Sequence, residues 1–376
     1  MDFNDYRKLF PVTLQKIYLN HASISPLSSR VTDKLDEYID DRSFGKIDVY
    51  KTAHETREKT RNLIAKLINA DPDRIAFITN TSDGFNHLAQ GLSWQAGDEI
   101  ILTDYEFPSN VYPFLNLEKH GVKIRYVPNR RGLIKLDDIE KMINSKTKLL
   151  SISFVEFSNG FRNDLNSIGA LCKSHDIIFS VDSIQGLGAI PLDVQKSKID
   201  FISNGGHKWL MGLMGSGFMY IGKRLFEKIN PAFTGWLGVE NAWDFFNYNL
   251  DFLPDARRFE YATPNFMGIT ALCESVKLLM DAGINNIERH LLRLGKILVE
   301  QLTDLGMEFA GSMDSGEWSG IYSFSGKDIE QLFDYLGDND IVCALRSGRI
   351  RLAPHFYNSE DEIKQVIHII KQFYTK

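Results

Sequence analysis

Short apolar runs alternate with amphipathic stretches through the first two thirds of the chain. Six runs have the length and pattern of strands: "RIAFITN", "GDEIILTD", "KIRYVPN", "TKLLSISFV", "IIFSVDSI" and "DFISNGG". The stretches after the first four of them have the apolar period of helices: "TSDGFNHLAQGLS", "PFLNLEKHG", "KLDDIEKMI" and "SIGALCKSHD". Strands that alternate with helices predict a mainly parallel sheet that is covered on both faces.

The pattern changes after about Phe259. A long helical period runs through "ITALCESVKLLMDAGINNIERHLLRLGKILVEQLTDLG", and two shorter predicted strands, "SGIYSFS" and "GRIRLAP", precede a closing helix in "SEDEIKQVIHIIKQFY". We therefore predict an α/β protein with a second, smaller α+β domain. Residues 26–258 form the large domain, residues 259–376 form the small domain, and residues 1–25 join the small domain.

Composition and charge narrow the class of protein. The formal net charge of −6 carries no basic excess of the kind that follows a phosphate backbone, so nucleic acid is not an expected partner. The N-terminal "MDFNDYRKLFPVTLQKIYLN" lacks an apolar signal core, and no apolar run has membrane-spanning length. The three cysteines form no CxxC pair, so neither a metal site nor a disulfide framework is predicted. These observations favour a cytoplasmic protein.

Candidate chemistry is expected where the predicted strands end, because ligands of open α/β sheets bind outside the carboxyl ends of the strands. In "ITNTSDGFNHLAQGL", Thr81, Ser82 and Asp83 open a helix whose free N–H groups can hold an anion such as a phosphate. The same residue types also cap ordinary helices. This turn alone therefore does not decide between an anion site and a simple cap.

Asp182 follows a buried apolar run in "IIFSVDSIQGLGAIPLDV", and Gln185 lies close to it in the sequence. A carboxylate at the end of a buried strand needs a cationic or donor partner, because an unpaired buried charge costs several kcal/mol. A cofactor contact, a helix cap and a structural ion pair all satisfy this requirement.

Lys208 stands between His207 and a tryptophan in "DFISNGGHKWLMGLMGSGFMYI", a stretch otherwise built to be buried. A lysine that is kept partly dry loses proton affinity and becomes a usable nucleophile or Schiff-base amine. The alternative is a lysine whose stem covers apolar surface while its amine reaches water.

Two arginines, Arg349 and Arg351, share one face of the short predicted strand in "SGRIRLAPHFYN". A rigidly held arginine near a cleft is suited to bidentate capture of a substrate carboxylate. A surface ion pair is the common alternative.

Taken in order, "VDSIQGLG", "SNGGHKW", "RRFEYATPN" and "RIRLAPHFYN" resemble the class-V aminotransferase family of fold-type I pyridoxal-phosphate enzymes, over nearly the whole chain. The resemblance implies that residues 26–258 bind pyridoxal 5'-phosphate and that the substrate is an amino acid. It implies that Lys208 forms the Schiff base and moves the proton at the α-carbon, and that Asp182 pairs with the pyridinium nitrogen. The remaining roles that it implies are Gln185 near the phenolic oxygen, Ser203 and His207 around the phosphate and the Schiff base, and Ser82 with the Thr81–Asp83 amides on the phosphate.

Further residues carry expectations from the same resemblance. Phe107 in "TDYEFPSNVYPF" is expected to stack on the pyridine ring, although a core position is the usual fate of a phenylalanine. Trp236 in "TGWLGVENAW" and Thr263 in "RRFEYATPN" are expected to approach the phosphate of a neighbouring subunit, which implies a homodimer with shared sites. Ala262 stands where the family usually has glycine before that threonine.

The substrate side of the site has its own candidates. Arg351 is expected to anchor the substrate carboxylate. Asn20 and His21 in "YLNHASISPLSS" belong to a segment that the family folds over the substrate entrance, so the resemblance implies that both contact the substrate. A solvated loop histidine is an equally good account of His21. The resemblance implies that "SFVEFSNGFRNDL" lies near the cofactor oxygen, where Glu156 is either an additional acid or base or points away.

Within the family, "RLAPHFYNSEDEI" resembles the epimerase-like and selenocysteine-lyase-like branch, and we expect an isopenicillin N epimerase-like enzyme. A cysteine desulfurase, a selenocysteine lyase or other C–S lyase, and a kynureninase-like hydrolase are the alternatives. A desulfurase needs a thiolate near the substrate sulfur. Cys172, Cys273 and Cys343 stand outside convincing positions, and "RSGRIRLAP" has no cysteine where the family's "RTGHHC" loop carries one. The sequence therefore disfavours cysteine desulfuration.

Overall fold

The computed structural model describes residues 3–375. The strands are β1 Ile17–Tyr18, β2 Ile75–Ile78, β3 Glu99–Thr103, β4 Lys123–Val127, β5 Thr147–Ser153, β6 Ile178–Asp182, β7 Phe201–Gly205, β8 Gly217–Ile221, β9 Glu308–Phe309, β10 Tyr322–Ser325, β11 Ile341–Val342, β12 Ala344–Arg346 and β13 Arg349–Leu352. The α-helices are α1 Asn4–Arg7, α2 Ser29–Ser43, α3 Tyr50–Ile68, α4 Thr81–Gly91, α5 Tyr112–Leu115, α6 Leu136–Met142, α7 Leu165–Ser174, α8 Lys223–Phe226, α9 Phe266–Ala282, α10 Ile284–Asp304, α11 Ile329–Asp338 and α12 Glu360–Thr375.

The large sheet has seven strands in the order β2-β8-β7-β6-β5-β3-β4. All neighbours in it are parallel except those of β8, which runs antiparallel to both β2 and β7. The predicted mainly parallel sheet is therefore confirmed. Strand β8, "GFMYI", lies within the glycine- and methionine-rich stretch after Lys208 and was not predicted.

Helices cover both faces of this sheet, as its buried strands require. The long helical period after Phe259 is broken at Gly283, whose φ of 81° ends α9 and begins α10. Helix α9 packs against α2 and α3. Among residues 3–375, no helix is both long and apolar enough to cross a membrane.

The smaller sheet has four antiparallel strands in the order β12-β13-β10-β9. The N-terminal segment joins this region, because β1 pairs in parallel with β11 and Asn20 forms an isolated bridge with Ala353. The buried Ile17 and Leu19 pack in the same apolar cluster as the small sheet. The domain boundaries at residues 25 and 258 stay predictions.

Three neighbouring strands end together in the large sheet. The register pairs Ser153 of β5 with Asp182 of β6, and Asp182 with Ser203 of β7. All three side chains are buried. This rim and the start of α4 bring three of the predicted cofactor residues together: Asp182, Ser203 and Thr81.

Candidate active site

Asp182 is the centre of the rim at the end of β6. Its side chain is 2% exposed and its carboxylate accepts a hydrogen bond from the Ile184 amide at 3.0 Å. Burial raises the pKa of Asp182 to about 7; the Ile184 hydrogen bond and the charge of Lys208 oppose this shift, whereas the nearby Glu106 adds to it. This carboxyl therefore needs a further cationic partner in order to stay ionised.

Lys208 lies in the loop after β7. Burial lowers the pKa of its amine to about 8. The charge of Asp182 raises this pKa, whereas the charges of Arg351 and Arg346 lower it. Its Nζ lies 5.5 Å from the ring centroid of Phe107. An amine held this way exchanges protons near neutral pH and faces an aromatic ring, which does not fit a lysine that extends into water.

The N-terminal segment fixes the backbone at Lys208. Ser25 donates through its N–H to the carbonyl of His207 at 2.9 Å and through its Oγ to the carbonyl of Lys208 at 2.6 Å. The next residue, Trp209, is fully buried. The backbone is therefore fixed on both sides of Lys208, from which the reactive side chain extends.

Gln185 makes both of its amide hydrogen bonds inside the protein. Its Nε2 donates to the Ala22 carbonyl, and its Oε1 accepts from Trp209 Nε1, each at 3.0 Å. Gln185 therefore connects the N-terminal segment to the Lys208 loop. Its expected contact with the phenolic oxygen of the cofactor stays a prediction.

Helix α4 begins directly after β2 with an open N-terminal turn. Asn80, not one of the three following residues, is the N-cap and accepts from the Asp83 amide. The Asp83 amide is thus already used, and its carboxylate accepts from the N–H and Oγ1 of Thr79, so Asp83 offers no free donor to an anion. The hydroxyl of Thr81 is buried without a partner, and the amides of Thr81 and Ser82 belong to the first helical turn, whose N–H groups have no partner within the helix.

Ser203 and His207 flank this turn and the Lys208 loop. Ser203 Oγ donates to the Thr81 carbonyl at 2.7 Å, so it holds the start of α4 against β7. Gly84 faces Ser203, where a Cβ would lie 2.3 Å from Oγ, so the close approach of helix and strand depends on this glycine. Burial, reinforced by the charge of Lys208, lowers the pKa of His207 to about 4. His207 is therefore neutral at pH 7.

Phe107 lies between β3 and the next short helical turn and is 40% exposed. Its ring meets the ring of Phe157 edge-on at 5.2 Å and also faces Lys208. A core position for Phe107 is therefore wrong. The exposed ring lies beside the amine, and its stacking on the cofactor stays a prediction.

Two further carboxyl groups adjoin Asp182. Glu106 accepts from the amide and Oγ of Ser153, from Asn110 Nδ2 and from Thr103 Oγ1. Burial raises the pKa of Glu106 despite these bonds. It therefore adds a fixed acid directly beside Phe107.

Glu156 is fully buried and does not point away from the protein interior. Its Oε1 accepts from Asn163 Nδ2 at 2.9 Å, whereas its Oε2 has no partner. Burial first, and then the charges of Glu106 and Asp182, raise the pKa of Glu156 well above its ordinary value. Burial and the neighbouring acids therefore favour the protonated form of Glu156.

Arg351 on β13 is 2% exposed and has no carboxylate partner among residues 3–375. Its guanidinium donates to the Phe157 carbonyl at 2.6 Å and to Ser23 Oγ at 2.8 Å, while its Nε is buried without an acceptor. Burial and the charge of Arg346 lower the pKa of Arg351 to about 10. The predicted carboxylate anchor thus has unused donors beside the Phe107–Phe157 pair.

His21 lies deeper than expected. Its Nδ1 is 2.7 Å from the Ala353 carbonyl and its Nε2 is 2.8 Å from the Tyr357 hydroxyl, with no exposed surface. The solvated loop histidine is therefore wrong, because the ring is part of the contact between the N-terminal segment and the small domain. Asn20 is half-buried and its Oδ1 has no partner.

Trp236 and Thr263 lie at the surface. Trp236 is 39% exposed and meets Trp243 edge-on at 5.3 Å. Thr263 is exposed and lines a cleft with Asp83 and His87 of its own chain. Their predicted action on a neighbouring subunit stays a prediction.

A family model described as aminotransferase class-V matches residues 17–365. The chain belongs to the class-V aminotransferase family. The uncharacterized aminotransferase YcbU of Bacillus subtilis (strain 168) is 28% identical over 362 residues, which cover 96% of this chain and 95% of that protein. A probable cysteine desulfurase of Pyrococcus abyssi is 30% identical over 394 residues, which cover 98% and 96% of the two chains.

Solved structures agree with this assignment. The apo structure of a cysteine desulfurase from Thermococcus onnurineus NA1 matches this class-V chain with a TM-score of 0.91 and 26% identity, over 99% of this chain and 98% of that one. The cystine C–S lyase C-DES in complex with cysteine persulfide has the same fold, with a TM-score of 0.87 at 23% identity over 96% and 98% of the two chains. The class-V chain is thus a fold-type I enzyme that uses pyridoxal phosphate.

The residues of this class-V chain fit that cofactor chemically. The buried carboxyl of Asp182 has an elevated pKa and can pair with a protonated ring nitrogen. The desolvated amine of Lys208 can form a Schiff base with an aldehyde. The unpartnered Thr81 hydroxyl at the start of α4 matches a phosphate. The exposed face of Phe107 matches the flat ring between them.

The sequence pattern did not predict several residues of the class-V site. Ser25 holds the Lys208 loop and Ser23 holds Arg351, yet "SISP" carries no signal for either contact. Glu106 and Asn110 stand four residues apart in "EFPSN" and are hydrogen-bonded. That four-residue spacing next to Phe107 was the sequence feature that could have indicated Glu106.

Proposed function

We propose that the chain is a pyridoxal-phosphate enzyme that acts at the α-carbon of an amino acid, in the isopenicillin N epimerase-like branch of its family. The observation that carries this proposal is the juxtaposition of Lys208 with three groups: the buried Asp182, the ring of Phe107 and the buried guanidinium of Arg351. A lysine amine is rarely enclosed by an acid, an aromatic face and an arginine without a chemical role.

Each residue has a part that follows from its surroundings. When bound, pyridoxal phosphate supplies a ring that accepts the electron pair left at the α-carbon. Asp182 would hold a positive charge at the ring nitrogen, and Phe107 would fix the plane of the ring. The Thr81 hydroxyl and the α4 amides would hold the phosphate, and Ser203 would position that turn. Asp83, whose polar atoms are used locally, would stabilise the turn rather than bind.

The substrate is held from the other side. The unused donors of Arg351 would bind the α-carboxylate, with Asn20 beside them. Lys208 would carry the proton to and from the α-carbon, because an amine with a pKa of about 8 has both protonation states populated near neutral pH. His207 would stay neutral and therefore add no charge beside the amine.

Cysteine desulfuration is the second candidate, and it is favoured by several similar proteins that are described as known or probable cysteine desulfurases. The persulfide route needs a reactive thiolate. All three cysteines are buried, and burial raises the pKa of Cys172 and Cys343 to about 12 and that of Cys273 as well. These thiols argue against that route, whereas a C–S lyase that needs no protein thiol, a selenocysteine lyase and a kynureninase-like hydrolase stay alternatives.

We further propose a cytoplasmic homodimer with shared sites. The exposed aromatics between residues 233 and 250 support an interface at this face; they include Trp236, Trp243, Phe245, Phe246 and Tyr248. Trp236 and Thr263 would then complete the phosphate site of the partner. Sedimentation of Trp243→Ser and Phe246→Ser variants tests this interface, and an unchanged oligomer would contradict it.

The decisive experiment is a panel of amino acids monitored by the absorbance of the bound cofactor. Borohydride treatment followed by peptide mass spectrometry is expected to mark Lys208, and Lys208→Ala should abolish both the mark and turnover. Parallel assays of sulfide, keto acid and changed α-carbon configuration separate lyase, transferase and epimerase. A protein that binds no cofactor, or is marked at another lysine, would overturn the proposal.

A further inference from the structure

The ring of Phe107 is expected to stack on the cofactor, yet much of it is exposed. It is 40% exposed and meets the ring of Phe157 edge-on, at 5.2 Å. Lys208 Nζ lies 5.5 Å from its centroid. The rotamers open to a side chain depend on the backbone that carries it. The plane of this exposed ring is therefore set by the way its loop is held.

Hydrogen bonds on both sides of Phe107 close that loop. The Asn110 N–H donates to the Phe107 carbonyl at 2.9 Å, and Asn110 Nδ2 donates to Glu106 Oε2 at 3.0 Å. Asn110 is fully buried, and its Oδ1 accepts from Ser151 Oγ at 2.6 Å. Asn110 is thus held by β5, and it in turn holds the residue before Phe107 and the carbonyl of Phe107 itself.

Glu106 also joins the loop directly to the end of β5. Its Oε1 accepts from the Ser153 N–H at 2.9 Å, and its Oε2 accepts from Ser153 Oγ at 2.6 Å. Thr103 Oγ1, at the end of β3, adds a longer bond of 3.2 Å to Oε1. Because both oxygens of one carboxyl group bond to one residue, the contact fixes an orientation as well as a distance. The ends of β3 and β5 therefore hold this side chain together.

The end of β5 adjoins Asp182. The parallel register pairs Ser153 with Asp182 and Ser151 with Ser180. Residues two apart along a strand lie on the same face of the sheet, and the Oγ atoms of Ser151 and Ser180 are 3.0 Å apart. Ser153 and Asp182 therefore share that face. The Phe154 N–H also donates to the Asp182 carbonyl at 2.8 Å, which fixes the two strand ends to each other.

We propose that Glu106 is a positioning residue of this site: it fixes the plane of the Phe107 ring relative to Asp182, by bonding to Asn110 on one side and to Ser153 on the other. This inference rests on the proposed function and adds a residue to the same site. Glu106 acts through these neighbours, because the residue that it holds lies beside Asp182 and the loop that it closes carries the ring. The two groups expected to face the plane and the nitrogen of the cofactor are thereby held in one geometry.

Glu106→Gln tests this role with a side chain of the same size. An amide has a single acceptor oxygen, so its NH2 group would face a donor at Asn110 or Ser153. We expect kcat to fall about ten- to a hundredfold, the usual result of losing hydrogen bonds to an acidic group. KM should change by less than about threefold, because Arg351, the proposed carboxylate anchor, is held by other groups.

Two further readouts report on geometry rather than on turnover. The circular dichroism of the cofactor band should fall in Glu106→Gln at equal cofactor content, because the ring is no longer held in one orientation. Hydrogen exchange of the Asn110 amide, which donates to the Phe107 carbonyl, should become faster in the protein with and without cofactor. The exchange measurement therefore tests the loop even where no cofactor is bound.

Glu99→Gln is the matched control. Glu99 is a buried acid at the start of β3, the opposite end of that strand from the Glu106 loop, and it accepts from Arg125 and Asn144. Its substitution should lower thermal stability and leave kcat, dichroism and Asn110 exchange unchanged. Ser153→Ala removes only the Oγ donor to Glu106 and should lower kcat and dichroism in the same direction, by a smaller amount. This second variant keeps the role testable should Glu106→Gln fail to fold.

The inference is overturned if Glu106→Gln matches Glu99→Gln, with a loss of thermal stability alone, since Glu106 would then be a structural residue. A loss confined to KM would also contradict the role, because it would place Glu106 on the substrate side. In both cases borohydride would still mark Lys208 in the parent, so the proposed function would stand. A parent protein that is not marked at Lys208 would remove the proposed function and this inference together.

Discussion

The two sides of the active site differ in charge and in the part of the chain that forms them. The large sheet contributes acids, Asp182 and Glu106, held by backbone amides and hydroxyls at the ends of β3, β5 and β6. The small sheet contributes arginines, of which Arg351 is held by a carbonyl and a hydroxyl. The hydrogen-bond partners on each side are neutral groups, so they do not neutralise the charge of the side chains that they hold. The difference teaches that Lys208 is attracted by the acid on one side and repelled by the arginines on the other, so a ligand bound between the two sides meets both signs of charge.

The acidic side gives the largest expected effect. Asp182→Asn keeps the shape of the side chain but removes the charge that faces the ring nitrogen. We expect the cofactor to stay bound and turnover to fall by about 10²–10³-fold, the usual cost of losing a preorganised electrostatic partner. Steady-state kinetics with the absorbance spectrum of the bound cofactor measure both effects. Full turnover in this variant would show that the assigned role of Asp182 is wrong.

On the basic side, Arg351→Lys tests whether the fork of the guanidinium matters. A lysine cannot donate to the Phe157 carbonyl, to Ser23 and to a carboxylate in the same geometry. We expect kcat/KM to fall by about a hundredfold, with most of the loss in KM. Arg349→Lys, on the same strand face, should stay close to the parent. Equal losses in both variants would indicate a general disturbance of the hairpin.

Glu156 is buried close to other acids, and a variant at this position measures the effect of that placement on the free energy of unfolding. Its raised pKa means that the folded state holds a proton that the unfolded state has released above about pH 4.3, so stability from this group falls as pH rises toward the folded pKa. Glu156→Gln removes that slope. We expect the variant to be more stable than the parent at pH 7, because it has no ionisation to suppress in the folded state.

The measurement for Glu156→Gln is urea unfolding at pH 5, 6, 7 and 8, and the advantage of the variant should grow with pH. Glu330→Gln, at an exposed glutamate, is the control and should track the parent at every pH. A constant difference across the four values would mean that Glu156 is ionised in the folded protein.

The smallest effect is expected where the two sides are joined. Ser25→Ala removes the Oγ hydrogen bond to the Lys208 carbonyl but keeps the amide bond to His207. We expect kcat to fall about two- to tenfold, with a shifted pH midpoint in the absorbance of the bound cofactor. Ser25→Thr should restore both values. A change in thermal stability alone, with normal kcat and pH midpoint, would reduce Ser25 to a structural residue.

Much of the fold could be predicted because alternating apolar runs report directly on buried strands. Strand β8 escaped because its "GFMYI" lies within a stretch whose glycines and methionines do not mark a strand. The residues predicted for the site were those that follow strand ends, such as Asp182 and Phe107. Ser25, Phe157 and Glu106 were missed, because their roles depend on contacts across the fold rather than on local pattern. The sequence left His21 as either a substrate contact or a solvated loop residue, because it does not reveal that both ring nitrogens meet partners more than 300 residues away.

The pairing of the N-terminal segment with the small domain has a consequence for how the enzyme is assembled. His21 meets Ala353 across a sequence separation of 332 residues, and Ser25 reaches the loop at Lys208 across 183. Contacts of such separation raise the contact order and are expected late in folding. During synthesis, the strands of the parallel sheet are therefore made before β11 and β13. The N-terminal segment that holds the Lys208 loop pairs with these later strands. We expect cofactor capture to be one of the last events in the maturation of the nascent chain.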